Sequence, residues 1–229
     1  MKKTLAILIV LCLAVSMTFA FDFRELDYET YVGFSMSQYS AEGFKDTVLW
    51  GEDISLKDAN GSKMAFGVKL GGRAALIEHA YAILDADVNF SSLQTYVIDA
   101  GIGGAYYFID NTFHLGVGAK VGFFSLANLI GTMNCDYRYT DKDGNRYYGD
   151  KGDSITYEVM GISLRPFVDF SYDLNDIFSV GASVGYRIGF SFKDAVMIAG
   201  KYDIGTFEGQ EPKVSPNGLT ASIYGVYKF

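Results

Sequence analysis

The chain is poor in positive charge, cysteine and proline, and each of these shortages argues against particular classes of fold or function. It carries 19 lysines and arginines against 27 aspartates and glutamates, a net charge of −8. This argues against nucleic-acid binding, which needs basic side chains to neutralise phosphates. After residue 20, no apolar run reaches the length of about 20 residues that a transmembrane helix needs. Only 3 prolines stand beside 26 glycines and 16% aromatic residues, which favours a sheet protein over disorder or a helical bundle.

Residues 1–20 have the features of a secretory signal peptide. Lys2 and Lys3 form a positive start, an apolar stretch follows, and the small residue Ala20 offers a cleavage position. We expect residues 1–20 to be removed and residues 21–229 to form one domain. Of the two cysteines, Cys12 and Cys135, only Cys135 would then remain, and no intramolecular disulfide could form.

Period-2 alternation is the strongest pattern in the remaining chain. From Phe178 to Phe190, apolar residues alternate with glycine, serine and Arg187, which is typical of a strand with different environments on its two sides. Eight segments show this alternation, and in each the apolar phase carries no charge. They are residues 28–38, 64–74, 80–90, 96–106, 113–123, 160–172, 178–190 and 219–229.

The connections between these segments alternate between short and long. Short turns lie near 76–78, 109–112 and 173–176, and long loops near 40–62, 125–157 and 193–217. The connection near 91–94 is short but occupies a position where a long loop could lie. This pattern predicts an all-β fold, an eight-stranded antiparallel up-and-down transmembrane β-barrel. The competing fold is a soluble barrel with the apolar face inward. It would expose to water a face rich in glycine, a residue that better suits a narrow barrel interior.

The last strand carries a family resemblance. Ile223, Tyr227 and the terminal Phe229 alternate as in the strand that bacterial outer-membrane proteins present to their barrel-assembly machinery. The mature chain resembles the small eight-stranded outer-membrane barrels of the OmpA-domain, OmpX and OmpW-like group. The resemblance implies contact with outer-membrane lipid, termini in the periplasm and extracellular long loops. It leaves several roles open, because such barrels serve as anchors, adhesins or conduits.

The opposite phase of the strands holds a sparse set of charges, which we expect to face the barrel interior. These residues are Lys69, Arg73, Asp85, Asp87, Asp99, Lys120, Arg165, Asp169 and Arg187. Charges at similar height on neighbouring strands predict the ion pairs Lys69–Asp85 and Asp99–Lys120. Buried charges need partners, so the set predicts a salt-bridged plug that fills the lumen. The alternative is a polar gate or a binding site for a small solute.

Catalysis and metal binding find little support in the sequence. His79 and His114 are the only histidines, and both fall at strand ends away from the long loops. A serine near the long loops would therefore have no histidine to act as its general base. Asp143 and Asn145 flank Gly144 but lack the register of a calcium loop and favour a turn instead. We therefore expect no enzyme activity, no metal and no cofactor.

The polar segment from Cys135 to Asp150 predicts a hairpin above the membrane. Its composition is that of a contact surface, or equally that of an elongated hairpin whose strands pair through aromatic contacts. Its tyrosines and arginines are Tyr137, Arg138, Tyr139, Arg146, Tyr147 and Tyr148. The sequence thus predicts an outer-membrane protein with a structural or adhesin-like role, carried by loops that contact an extracellular ligand or host protein. The alternative is an OmpW-like conduit for small, possibly hydrophobic solutes.

Overall fold

A computed structural model describes residues 27–42, 61–92, 95–110, 112–133, 136–140, 143–192, 196–199, 202–205 and 213–229. The strands are β1 (Tyr28–Glu42), β2 (Gly61–Ile77), β3 (Ala80–Ser92), β4 (Thr95–Asp110), β5 (Phe113–Thr132), β6 (Tyr137–Thr140), β7 (Arg146–Gly149), β8 (Ser154–Asp173), β9 (Phe178–Ser191), β10 (Val196–Ala199), β11 (Tyr202–Gly205), β12 (Lys213–Ser215) and β13 (Gly218–Lys228). Within these ranges, no helix is long and apolar enough to cross a membrane. The predicted signal peptide and Cys135 lie outside the described residues.

Eight long strands close into an antiparallel barrel in the order β1-β2-β3-β4-β5-β8-β9-β13, with β13 pairing back to β1. The prediction of an eight-stranded up-and-down barrel is confirmed. The paired residues that run around the barrel from Val32 on β1 through β2, β3, β4, β5 and β8 lead to Phe190 on β9. The paired residues that run from Val32 in the other direction, through β13, lead to Val180 on β9, which is ten residues from Phe190. This stagger tilts the strands by about 40–45° and leaves an interior only wide enough for side chains.

The outer wall of the barrel is apolar because the uncharged phase of each strand points outward. In β8, exposed and buried residues alternate almost without interruption from Val159 to Tyr172. Phe34 on β1 is 80% exposed and Ile223 on β13 is 70% exposed. A wall of this kind suits lipid, since its large apolar side chains would otherwise stand in water.

The two ends of the barrel differ. At the turn end, residues 78–79 and 174–177 connect strands directly, and the described termini Asp27 and Phe229 lie there as well. At the loop end, β5 and β8 each run for 20 residues, and β8 pairs with β10 beyond the point where β9 ends. The loop predicted near 125–157 is therefore shorter than expected, because β5 continues to Thr132 and β8 starts at Ser154. Most of the predicted loop 40–62 and part of 193–217 lie outside the described residues.

Candidate functional site

The nine predicted interior charges all line the barrel lumen, and each residue is at most 5% exposed. Strands β2, β3, β4, β5, β8 and β9 contribute them, since each of these charges occupies the inward phase of its strand. They fall into two groups. We call the group at mid-height the central network; it contains Lys69, Asp85, Asp87, Asp99, Lys120, Arg165 and Arg187. The group nearer the turn end, the lower network, is built on Arg73 and Asp169.

Asp85 is the hub of the central network. Its Oδ2 accepts a hydrogen bond from Lys120 Nζ and lies 3.1 Å from Lys69 Nζ, and its Oδ1 accepts one from Arg165 Nη2 at 2.7 Å. Arg165 also donates from Nη1 to Asp87 Oδ2. Cations from β2, β5 and β8 thus meet on the carboxylate of Asp85 on β3, which ties these four strands together across the lumen.

The structure pairs Asp99 differently from the sequence-based expectation. Lys69 does contact Asp85, but Lys120 also binds Asp85 and not the predicted Asp99. The reason is register, because Asp99 lies opposite Phe124, four residues along β5 from Lys120. Asp99 instead accepts a hydrogen bond from Ser163 Oγ at 3.1 Å and lies 3.6 Å from Arg187 Nη1.

The lower network centres on the carboxylate of Asp169. Arg73 Nη1 donates to it at 3.2 Å, and the hydroxyl groups of Tyr107 and Tyr224 both donate to it. Arg73 Nε also donates to Glu29, and its guanidinium lies 4.6 Å from the ring centre of Tyr107. Asp169 therefore has three donors, all of them buried.

Sequence reasoning missed Glu29, Tyr107 and Tyr224 as members of the site. The alternation of side chains along a strand could have identified Glu29, because it points to the same inward face of β1 as Tyr31 and Ser35. With Glu29 included, the two networks hold five cations and five carboxylates. The two networks are thus electrically balanced, as a buried set of charges requires.

Little free space remains beside the central network. One gap lies on its loop side, next to Asn89 and Arg187, and a second lies on its turn side, next to Tyr31 and Tyr224. Each has room for about one water molecule. Lys120 lines both gaps, as do Lys69, Phe167 and Ser183, and its ammonium lies 4.6 Å from the ring centre of Phe167. Neither gap has room for a solute larger than water.

The predicted contact surface lies on a two-stranded sheet of β6 and β7 at the loop end. Arg138 donates to the carbonyl oxygen of Gly149 at 2.9 Å and to Asp150 at 2.8 Å, and its guanidinium lies 5.5 Å from the ring centre of Tyr148. Arg146 is exposed at the start of β7. Tyr137, Tyr139 and Tyr147 belong to the same strands, and their side chains lie outside the described part.

The predicted assembly residues lie on the outer face of the last strand. Ile223, Tyr227 and Phe229 are all exposed at the barrel wall. The ring of Phe229 stacks on Tyr28 with centroids 4.5 Å apart and meets Tyr227 edge-on at 4.7 Å. These contacts join the two ends of the described chain beside the β1–β13 seam.

The two histidines lie at the turn end, opposite the loops. His79 lies in the turn between β2 and β3, and His114 Nε2 is 3.1 Å from Asp173 Oδ2. Among the described residues, no three acidic, histidine or cysteine side chains are grouped so as to hold a metal ion.

No protein-family model matches the chain, and no curated protein is similar to it in sequence. Solved structures do match. OprG from Pseudomonas aeruginosa aligns over 89% of this chain and 96% of its own, with 14% identity and a TM-score of 0.51. Neisserial surface protein A aligns over 88% and 97%, with 13% identity and a TM-score of 0.49. Ail of Yersinia pestis aligns over 90% and 99%, with 12% identity and a TM-score of 0.44.

These likenesses concern the fold. The chain has the fold of the small eight-stranded bacterial outer-membrane β-barrels, as OprG does. Its apolar outer wall independently suits the lipid in which such barrels lie.

Proposed function

We propose that this protein is a closed barrel of the bacterial outer membrane whose loops carry a structural or adhesin-like surface role, without enzyme activity. The observation that carries the proposal is the central network. Asp85 draws Lys69, Lys120 and Arg165 into the middle of the lumen, where they occupy the space that a solute would need. A barrel filled in this way can anchor the loops that it displays, but it leaves little space for the transport of a solute.

We place the turn end in the periplasm and the loop end outside the cell. Short turns and long loops divide in this way in outer-membrane barrels. The 20-residue strands β5 and β8 would then extend beyond the bilayer, since about 9–11 tilted residues suffice to span it. They carry the β6–β7 sheet away from the membrane surface.

The β6–β7 sheet is the best candidate for contact with an extracellular ligand or a host protein. Arg138, Arg146 and Tyr148 combine guanidinium and aromatic groups, the chemistry enriched where proteins meet partners. Its base is closed by the backbone hydrogen bond from Met133 N to Asp153 O at 2.8 Å. The sheet can therefore be removed without cutting the barrel strands.

The test replaces residues 137–149 with a short glycine–serine turn and measures attachment of cells displaying the protein to immobilised extracellular-matrix proteins. We expect attachment to fall to the level of cells without the protein. The matched control replaces residues 174–176 at the turn end and keeps full attachment. Equal attachment with and without the β6–β7 sheet would contradict its assigned role.

The closed lumen has its own test in planar lipid bilayers. The purified protein is expected to insert without discrete single-channel steps, because the central network leaves no continuous path. Regular conductance steps from the unaltered chain would overturn the closed-barrel proposal.

A conduit for small apolar solutes is the second candidate, and one seam in the wall favours it. Between the pairs Leu164–Ile188 and Phe167–Gly185, the β8–β9 ladder is interrupted at Arg165 and Pro166. Proline has no N–H to donate and weakens a strand at such a point. Uptake of a small apolar dye into liposomes that contain the protein, reduced by Pro166→Val, would favour the conduit over the closed barrel.

We also infer that Ile223, Tyr227 and Phe229 are read by the barrel-assembly machinery. Their exposed outer face is the surface that an unfolded last strand would present. Phe229→Ala should lower the folded fraction in outer membranes, whereas Phe34→Ala, which changes an exposed phenylalanine on β1, should leave it nearly unchanged. Equal folded fractions for the two variants would rule this role out.

A further inference from the structure

A short segment at the loop end folds into the mouth of the barrel. We call this segment, residues 214–217, the strap. Val214 pairs with Ala41 and Ser215 with Ser40 on β1, so the strap follows the barrel wall before β13 begins. Val214 and Pro216 are buried, although both lie in a region predicted to be an exposed loop.

Arg187 holds the strap from below. It is the largest fully buried side chain among the described residues, and its guanidinium donates three hydrogen bonds. Nε donates to Pro216 O at 2.7 Å, Nη1 to Ser37 Oγ at 2.7 Å, and Nη2 to Gln38 O at 3.0 Å. Hydrogen bonds from an ionised donor are about twice as strong as neutral ones. One side chain thus binds the strap to β1 and β9 at once.

The strap also depends on the absence of a side chain at Gly189. A Cβ at this position would lie 2.4 Å from Cγ of Pro216, well inside van der Waals contact. In addition, Asn217 Oδ1 accepts a hydrogen bond from the backbone N–H of Gly189 at 2.7 Å. The inward face of β9 is therefore shaped to receive the proline ring.

We propose that the strap closes the lumen at its loop end and that Arg187 is the latch that keeps it closed. This rests on the proposed closed barrel and names the part that seals its outer side. Arg187 connects the strap to a gap in the lumen, because it donates to Pro216 O and also lines the gap together with Ser37 and Ser183. Through Asp99, 3.6 Å from its Nη1, Arg187 also joins the strap to the central network.

The experiment measures how fast a cysteine in the gap reacts when the strap is displaced by two independent routes. Ser183→Cys is introduced with Cys135→Ser, and a small water-soluble maleimide is added to the folded protein in detergent micelles. Arg187→Met removes the hydrogen bonds of the latch, and Gly189→Ala pushes on Pro216. We expect each change to raise the labelling rate about tenfold or more, because less free energy is then needed to open the strap.

Two matched controls keep the labelling rate of the parent. Arg138→Met removes an exposed arginine from the β6–β7 sheet, and Gly225→Ala adds a methyl group where no atom lies within 4 Å. Heat-dependent mobility on gels confirms that each variant is folded. If Arg187→Met does not fold, Arg187→Lys replaces it, since lysine cannot reach all three acceptors.

Parent-rate labelling of the folded Arg187 variant would overturn the latch, whatever Gly189→Ala does. Labelling of the parent itself as fast as a fully exposed cysteine would instead overturn the closed barrel. The two failures are therefore distinguishable.

Discussion

At the scale of single residues, the interior of this barrel depends on shared carboxylates. Asp85 contacts three cations and Asp169 accepts from two phenols and a guanidinium. Removing one partner from a buried ion pair leaves an uncompensated charge, which costs far more than the pair contributes when intact. Such hubs are consequently the most sensitive positions in the lumen.

Asp85→Asn should destabilise the folded barrel by about 3–5 kcal/mol, because Lys69, Lys120 and Arg165 lose the carboxylate they share. The measurement is the urea midpoint of unfolding in lipid vesicles. Asp150→Asn is the matched control. Its pair with Arg138 is more than half exposed, so the change should cost at most about 1 kcal/mol. Similar losses for both variants would mean that the interior is hydrated and its charges screened.

At the scale of strands, glycines on the inward phase make room for tyrosines from neighbouring strands. A Cβ on Gly181 of β9 would lie 2.4 Å from the ring of Tyr224 on β13, and one on Gly116 of β5 would lie 2.5 Å from the ring of Tyr107 on β4. Each ring crosses a glycine to reach Asp169 with its hydroxyl group. The glycines thus determine where the lower network can form.

Gly181→Ala should destabilise the barrel by about 1–3 kcal/mol, because the rigid ring of Tyr224 must move out of its packed position. Gly225→Ala on β13 faces open space and should have little effect. Both are compared by their unfolding midpoints in the same vesicles. A neutral Gly181→Ala variant would show that the ring has a second position of equal energy.

At the scale of the whole molecule, an apolar wall surrounds a charged interior, the reverse of a soluble protein. The exposed large apolar residues include Ile102, Val121 and Leu164, which are neighbours across β4, β5 and β8. This inversion follows if lipid is the solvent of the outer wall. It also makes the wall intolerant of charge.

Val121→Arg should lower stability in vesicles by about 2–4 kcal/mol, as expected for a guanidinium facing the middle of a bilayer. Leu174→Arg is the control, because Leu174 is equally exposed but lies in a turn between β8 and β9. It should cost at most about 1 kcal/mol. Vesicle folding assays with a urea titration measure both. Equal tolerance at the two positions would argue against a membrane-facing wall.

Much of this architecture could be predicted from the pattern of residues in the sequence. Strand number, pairing order and outward phase follow from alternation and connection length, which are local properties of the chain. The inward position of Glu29 was equally readable but was overlooked. The partner of Lys120 and the burial of Pro216 were not readable, since both depend on how far each strand slides along its neighbour.

The amino-acid sequence by itself determined that this chain forms an eight-stranded barrel with an apolar outer wall, because the side-chain period of a strand assigns each residue to one face. Only the tertiary structure decided which charges meet, that Asp85 serves three cations, and that Arg187 holds the strap. The ten-residue stagger of the closed barrel sets these contacts. It brings together residues as distant as Ser37 and Arg187 and is defined only when the last strand pairs with the first.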